Sequence, residues 1–208
     1  MRMDQADSRK EICMPITRDS LMTLEAYAKM RKAFRAKVME HKKTRKVHLG
    51  EHVTLIFEDE LTIRYQIQEM LRVERIFEEP DIQDELQAYN PLVPDGSNWK
   101  ATMLIEYPDV VERKKMLARL KSIERKVWVK IAGYTPVYAV ADEDLERDDG
   151  EKTAAVHFLR FELVPPMVQA LKNGAELAMG IDHSAYEVAI ENIDPKVRDS
   201  LLKDLRPL

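Results

Sequence analysis

Seven short stretches of this chain alternate apolar with polar residues or run rich in β-branched and aromatic side chains, and single helical stretches separate some of them. They read "HVTLIFED", "WKATMLIEY", "VWVKI", "PVYAV", "TAAVHFLRFEL", "AELAMGID" and "AYEVAIE". A helix after every strand would demand a parallel sheet, whereas a connection as short as "AGYT" can only join antiparallel neighbours. The expected fold is therefore α+β: a mostly antiparallel sheet with helices packed on it, in a single domain with an N-terminal helical segment. The sheet should include the segments near 53–57, 100–106, 127–131, 137–140 and 154–163.

Capping chemistry marks the helices. Thr17 or Asp19 can cap a helix running to about Glu40, with Leu21, Leu24, Tyr27, Ala28, Phe34 and Val38 at helical spacing. Asp109 with Glu112 three residues on resembles a capping box, followed by a stripe of Met116, Leu117, Leu120 and Ile123. A short helix is expected around Ile82 to Ala88. Pro165 and Pro166 end a strand and open a helix through Leu171, which Gly174 stops. Asp194 and Pro195 start a last helix with Val197, Leu201, Leu202 and Leu205 on one face. "YNPLVPDGSN", within Tyr89 to Asn98, reads as a long irregular loop and a candidate pocket rim.

The 208 residues suffice for one substantial core. Residues 1–15 are polar and read as a flexible leader, leaving 16–208 as the folded domain. No apolar run approaches the roughly 20 residues of a membrane-spanning helix, so a soluble, cytoplasmic protein is expected. Cys13 is the only cysteine, which excludes an internal disulfide and any thiolate cluster within one chain. The five histidines are scattered, and neither a Glu-x-x-His motif, a glycine-rich phosphate loop nor a nucleophile elbow occurs. No cofactor and no metal is expected; enzymatic activity is left open.

The formal charge of -4 hides two opposed blocks. Residues 31–48 carry eight Lys/Arg against Glu40, and residues 142–151 carry seven Asp/Glu against Arg147. Lys37, Lys42, Lys43, Arg45 and Lys46 form a candidate docking surface for an acidic partner, the alternative being the solvated end of a helix. Nucleic acid is disfavoured, because no aromatic residue punctuates Lys42 to Lys46 to stack on bases.

One residue contradicts its own helix. On a helical wheel of "RYQIQEMLRVERIFEE", with Ile63 at zero, Glu74 falls at about 20°, amid Ile67, Met70, Leu71 and Phe77. Gln66 lies on the same side, while Gln68, Arg72 and Arg75 lie opposite. A carboxylate held there would lose hydration, as ligand-site carboxylates do. The alternatives are an ion pair, a helix that bends before Glu74, or a strand through Leu61, Ile63, Tyr65 and Ile67. His157 is the other misfit, sharing a strand face with Leu159, Phe161 and Leu163, and Arg160 and Glu162 should pair on the opposite face. Glu74, Gln66 and His157 thus form a candidate ligand pocket, unless His157 is a satisfied core histidine.

"TLEAY", "YQIQEMLRVERIFEE", "DELQAYNPLVPDGSNWKATMLIEYPD" and "AVHFLRFEL", in that order, resemble a bacterial family of domains of unknown function, over about Ile16 to His183. The resemblance implies a gene neighbourhood of rubrerythrin-like proteins and iron–sulfur oxidoreductases, and no catalytic residue can be carried over. The function expected is a non-catalytic accessory or adaptor protein of a redox or oxidative-stress system that binds a partner oxidoreductase. The alternative is a small-molecule-binding protein or enzyme with its pocket around Glu74 and His157. A homo-oligomer is compatible with either.

Overall fold

The computed structural model describes residues 15–141 and 152–206, so residues 1–14 with Cys13, where the sequence predicts a flexible leader over 1–15, and the acidic block 142–151 lie outside the described residues. The chain forms α1 (Leu24–Lys42), β1 (Lys46–Leu49), β2 (Val53–Glu58), α2 (Glu60–Val73), α3 (Glu79–Tyr89), β3 (Asn98–Ile105) and α4 (Val110–Arg119). There follow β4 (Val127–Ile131), β5 (Val137–Tyr138), β6 (Val140–Ala141), β7 (Val156–Glu162), α5 (Pro165–Lys172), β8 (Leu177–His183), β9 (Tyr186–Ile190) and α6 (Pro195–Leu201). The fold is α+β, as the strand pattern requires, but the strands divide into two sheets.

The first sheet runs β1-β2-β3-β7-β6 and the second β5-β4-β8-β9, and every described pairing is antiparallel. Alternation sets the register. Leu55 opposes Met103, and Met103 opposes His157, so one face of the first sheet contributes Leu55, Phe57, Trp99, Met103 and Phe161 to the core. Val129, Ile131, Leu177 and Met179 of the second sheet join the same buried cluster, with Leu117 of α4, Leu171 of α5 and Leu201 of α6. Two sheets thus share one core, removing their apolar faces from water together. Tyr186 ties them at the β1–β2 turn, its hydroxyl donating to the Leu49 carbonyl at 2.7 Å. Gly50, at φ 72°, leaves room for that hydroxyl, since a Cβ there would stand 2.5 Å from it.

Helices α1, α2 and α3 carry a second, smaller core of Ile63, Ile67, Leu71, Ile82 and Leu86, closed by Ile16 and Leu21 from the segment before α1. Asn90 holds that segment by bonding both the N–H and the carbonyl of Ile16, at 2.8 and 3.0 Å. Thr23, rather than Thr17 or Asp19, caps α1. Asp109 caps α4, Asp194 caps α6, and Gly174 adopts φ 92° after α5, as the sequence indicates.

Strand β1 is the element that the sequence hides. Its basic composition continues that of α1, yet Val47 and Leu49 are buried while Lys46 and His48 point outward.

Candidate functional site: the basic corner and its buried arginine

The basic block divides into an exposed part and a locked part. Lys37, Lys43 and Lys46 are exposed and Lys42 is half-buried, whereas Arg45 is 1% exposed. Arg45 is thus removed from the candidate docking surface. It begins the hairpin at the point where α1 gives way to β1, and its guanidinium points into the protein.

There Nε donates to the Phe57 carbonyl at 2.9 Å, and Nη2 to the Glu58 carbonyl at 3.0 Å and to Asp204 at 2.5 Å. Nη1 reaches the Ser200 carbonyl at 3.4 Å. A planar fork of donors suits such a convergence of acceptors, and lysine lacks that geometry. Arg31 is also committed, gripping Glu69 through two bonds of 2.7 and 2.8 Å.

Asp59 performs three tasks beside Arg45. It caps α2 by accepting from the Thr62 N–H at 3.0 Å, lies 3.5 Å from Arg45 Nε, and lies 2.5 Å from His41 Nε2. Burial acts to raise its pKa, but Arg45, the Thr62 N–H and His41 outweigh that and hold it below the usual carboxylate value. Asp204 differs. Burial pushes its carboxyl up to about 6, with Arg45 pulling it back and Asp59 adding repulsion. Two carboxylates thus share one arginine, one ionised well below neutrality and the other titrating near it.

The proposed pocket of Glu74, Gln66 and His157 is not assembled. Helix α2 stops at Val73, and Glu74 is its exposed C-terminal cap residue. Arg75 then turns the chain with φ 57°, and the Ile76 N–H returns to the Leu71 carbonyl at 2.9 Å, the bond of a Schellman ending. The wheel fails because the helix ends before Glu74 can complete its turn into the core. Gln66 is exposed as well, and Gln68 is the fully buried amide, accepting from the Met22 N–H at 2.7 Å. The buried arc of α2 extends from Ile63 through Leu71 to Gln68 and on to Tyr65, because α1 and α3 both pack against it.

His157 belongs to the other core. It is 2% exposed on β7, with Nε2 2.9 Å from Thr153 Oγ1 and 3.0 Å from the Ala154 carbonyl, which requires a proton on that nitrogen. It is a satisfied core histidine. Arg160 and Glu162 form the expected ion pair. In the segment from Tyr89 to Asn98, Gly96 receives Arg206, whose N–H donates to its carbonyl at 2.8 Å.

Sequence reasoning missed His41, Asp59 and Asp204. Asp59 carried a signal, standing three residues before Thr62 as the first half of a capping box. Asp204 interrupts the apolar run of Leu201, Leu202 and Leu205, the same kind of misfit as His157. Among the described residues, no group of three or more His, Cys, Asp or Glu is placed to hold a metal, and no helix is long and apolar enough to cross a membrane.

Two antiparallel sheets on one core, with a three-helix arm anchored at its root by a buried arginine, define the class: an α+β protein of mixed sheet-and-arm architecture. The chain belongs to the family described as Protein of unknown function (DUF3501), which matches residues 15–205. It is similar to a crystal structure, at 1.90 Å, of a novel protein of unknown function from Burkholderia pseudomallei. That chain is 58% identical, with a TM-score of 0.89, covering 93% of this chain and 100% of the other. No curated protein matches.

Proposed function

We propose that the protein is a non-catalytic accessory or adaptor protein that binds a partner oxidoreductase of a bacterial redox or oxidative-stress system. The observation that carries this reading is the exposure of Lys37 and Lys46, with Lys43 exposed but paired with Glu40 at 2.5 Å, at a corner held in place by the buried Arg45. Fixed cations at the end of a helix favour encounter with an acidic surface, because long-range attraction acts before contact. The redox character proposed for the partner, whether rubrerythrin-like or an iron–sulfur oxidoreductase, rests only on the gene neighbourhood that the resemblance implies. A pocket reading loses its support with Glu74 in solvent.

The test is purification from the native host with identification of co-eluting proteins, followed by charge reversal of Lys37, Lys43 and Lys46 to Glu. Arg45 is left intact, since its removal would perturb folding. Association should slow about tenfold or more at low salt and converge on the parent rate as salt rises. A reversed variant that associates as fast as the parent at low salt would place docking elsewhere, and the absence of any co-eluting oxidoreductase would remove the redox assignment.

A further inference from the structure

At the far end of the arm, where α2 ends and α3 begins, the small core opens into a cleft of about 220 Å³. Its apolar wall is Met22, Leu24, Leu71, Ile76, Phe77 and Ile82, and Arg18, Thr23 and Glu25 complete the lining. Phe77 is 69% exposed. A large aromatic side chain left mostly in water on the wall of a mainly apolar cleft marks a binding surface more than a packing accident.

The surroundings choose the occupant. Glu74, Glu78, Asp81 and Asp84 are all exposed in the segment from the end of α2 into α3, and Glu25 and Arg18 both line the cleft itself. Arg18 is neutralised by Glu79 at 3.0 Å and Arg72 faces Glu69 at 3.5 Å, which leaves Arg75 as the remaining local cation among residues 72–85. The acids crowd one another: burial raises the pKa of Glu85, and the charges of Glu74 and Asp84 raise it further. Cations brought by a ligand would relieve that repulsion.

We propose that the cleft at Phe77, rimmed by these carboxylates, is a docking site for a basic amphipathic helical segment of a partner protein. One or more apolar side chains of that segment enter between Leu71, Ile76 and Ile82, its face packs on Phe77, and its lysines or arginines meet the rim. This is the helix-in-groove mode, with apolar anchors giving affinity and charge giving orientation. The site is independent of the basic corner and of opposite sign, so the arm offers two different surfaces.

The probe is a labelled amphipathic peptide of leucine and lysine, roughly four helical turns long, titrated into the full chain by fluorescence anisotropy beside a leucine–glutamate peptide of the same pattern. The leucine–lysine peptide should bind at least about tenfold more tightly. Phe77→Ala should weaken it about tenfold without unfolding the protein, because Phe77 is exposed. Glu74→Gln, Glu78→Gln and Asp81→Asn together should weaken it and flatten its salt dependence. Equal affinity for the two peptides would overturn the choice of a basic partner. Unchanged binding to the Phe77→Ala variant would overturn the site, as would sedimentation showing that copies of the chain already cover it through Phe77.

Discussion

The guanidinium of Arg45 meets the carboxylate of Asp204 at 2.5 Å, with side chains 1% and 7% exposed, across 159 residues of sequence. This contact ties the start of β1 to the turn after α6. The indole N–H of Trp99 supports the same anchorage, donating to the Leu201 carbonyl at 3.0 Å. The C-terminal segment is therefore part of the frame that fixes the root of the helical arm.

Arg45→Met should destabilise the protein by roughly 3–5 kcal/mol. The substitution fills space but leaves Asp204 and the Phe57 and Glu58 carbonyls without their donors. Arg45→Lys should recover only part of the loss, since an ammonium cannot address the separate acceptors together. Urea unfolding midpoints check both, and a midpoint for Arg45→Met within error of the parent would show the cluster to be dispensable.

Asp204 gives a pH signature. Its folded pKa of about 6 stands above the unfolded value of 3.8. The folded state therefore holds the proton more tightly, so this stability is complete below pH 3.8 and is lost as pH rises through about 6. The change is on the order of 3 kcal/mol. Asp59, with its pKa lowered, contributes in the opposite sense, and its stability is lost as pH falls through its folded value. Asp204→Asn should remove the slope between pH 4 and 6, so denaturant melts of variant and parent that stay parallel across that window would contradict the assignment.

Arg75→Gly should stabilise the protein by roughly 0.5–1 kcal/mol. Arg75 occupies the left-handed position of the ending of α2 at φ 57°, where a side chain costs energy that glycine avoids. Thermal melting reads the gain directly. A lowered melting temperature would mean that the arginine side chain contributes contacts outweighing its backbone cost.

Gly180→Ala should destabilise by about 1–3 kcal/mol. Trp128 lies across Gly180, and a Cβ there would stand 2.4 Å from Trp128 Cζ2 and 2.5 Å from the Val188 carbonyl oxygen. The indole also donates to Asp182 at 2.8 Å, so its displacement should break that bond. Tryptophan fluorescence and unfolding midpoints report the two effects, and unchanged emission with unchanged stability would show that Trp128 can move freely.

The sequence by itself determined what depends on near neighbours. Strand alternation in "VTLIF" and "VHFLRFEL", the caps at Asp109 and Asp194, and the stop at Gly174 are short-range chemistry, so the α+β class and most element positions were legible. The pairing of Arg160 with Glu162 was legible for the same reason, two residues apart on one strand face. Only the tertiary structure decided which charges are interior. Arg45 looked like one more surface cation because its acceptors, Ser200 and Asp204, lie 155 and 159 residues away. Glu74 looked buried because a wheel assumes that the helix continues, whereas the turn at Arg75 ends it. Gln68 looked exposed because one stripe was assumed, while α2 is packed from two sides. Periodicity specifies which residues share a face; the burial of a polar side chain is decided by whether distant parts of the chain bring it partners, since desolvation without them costs too much.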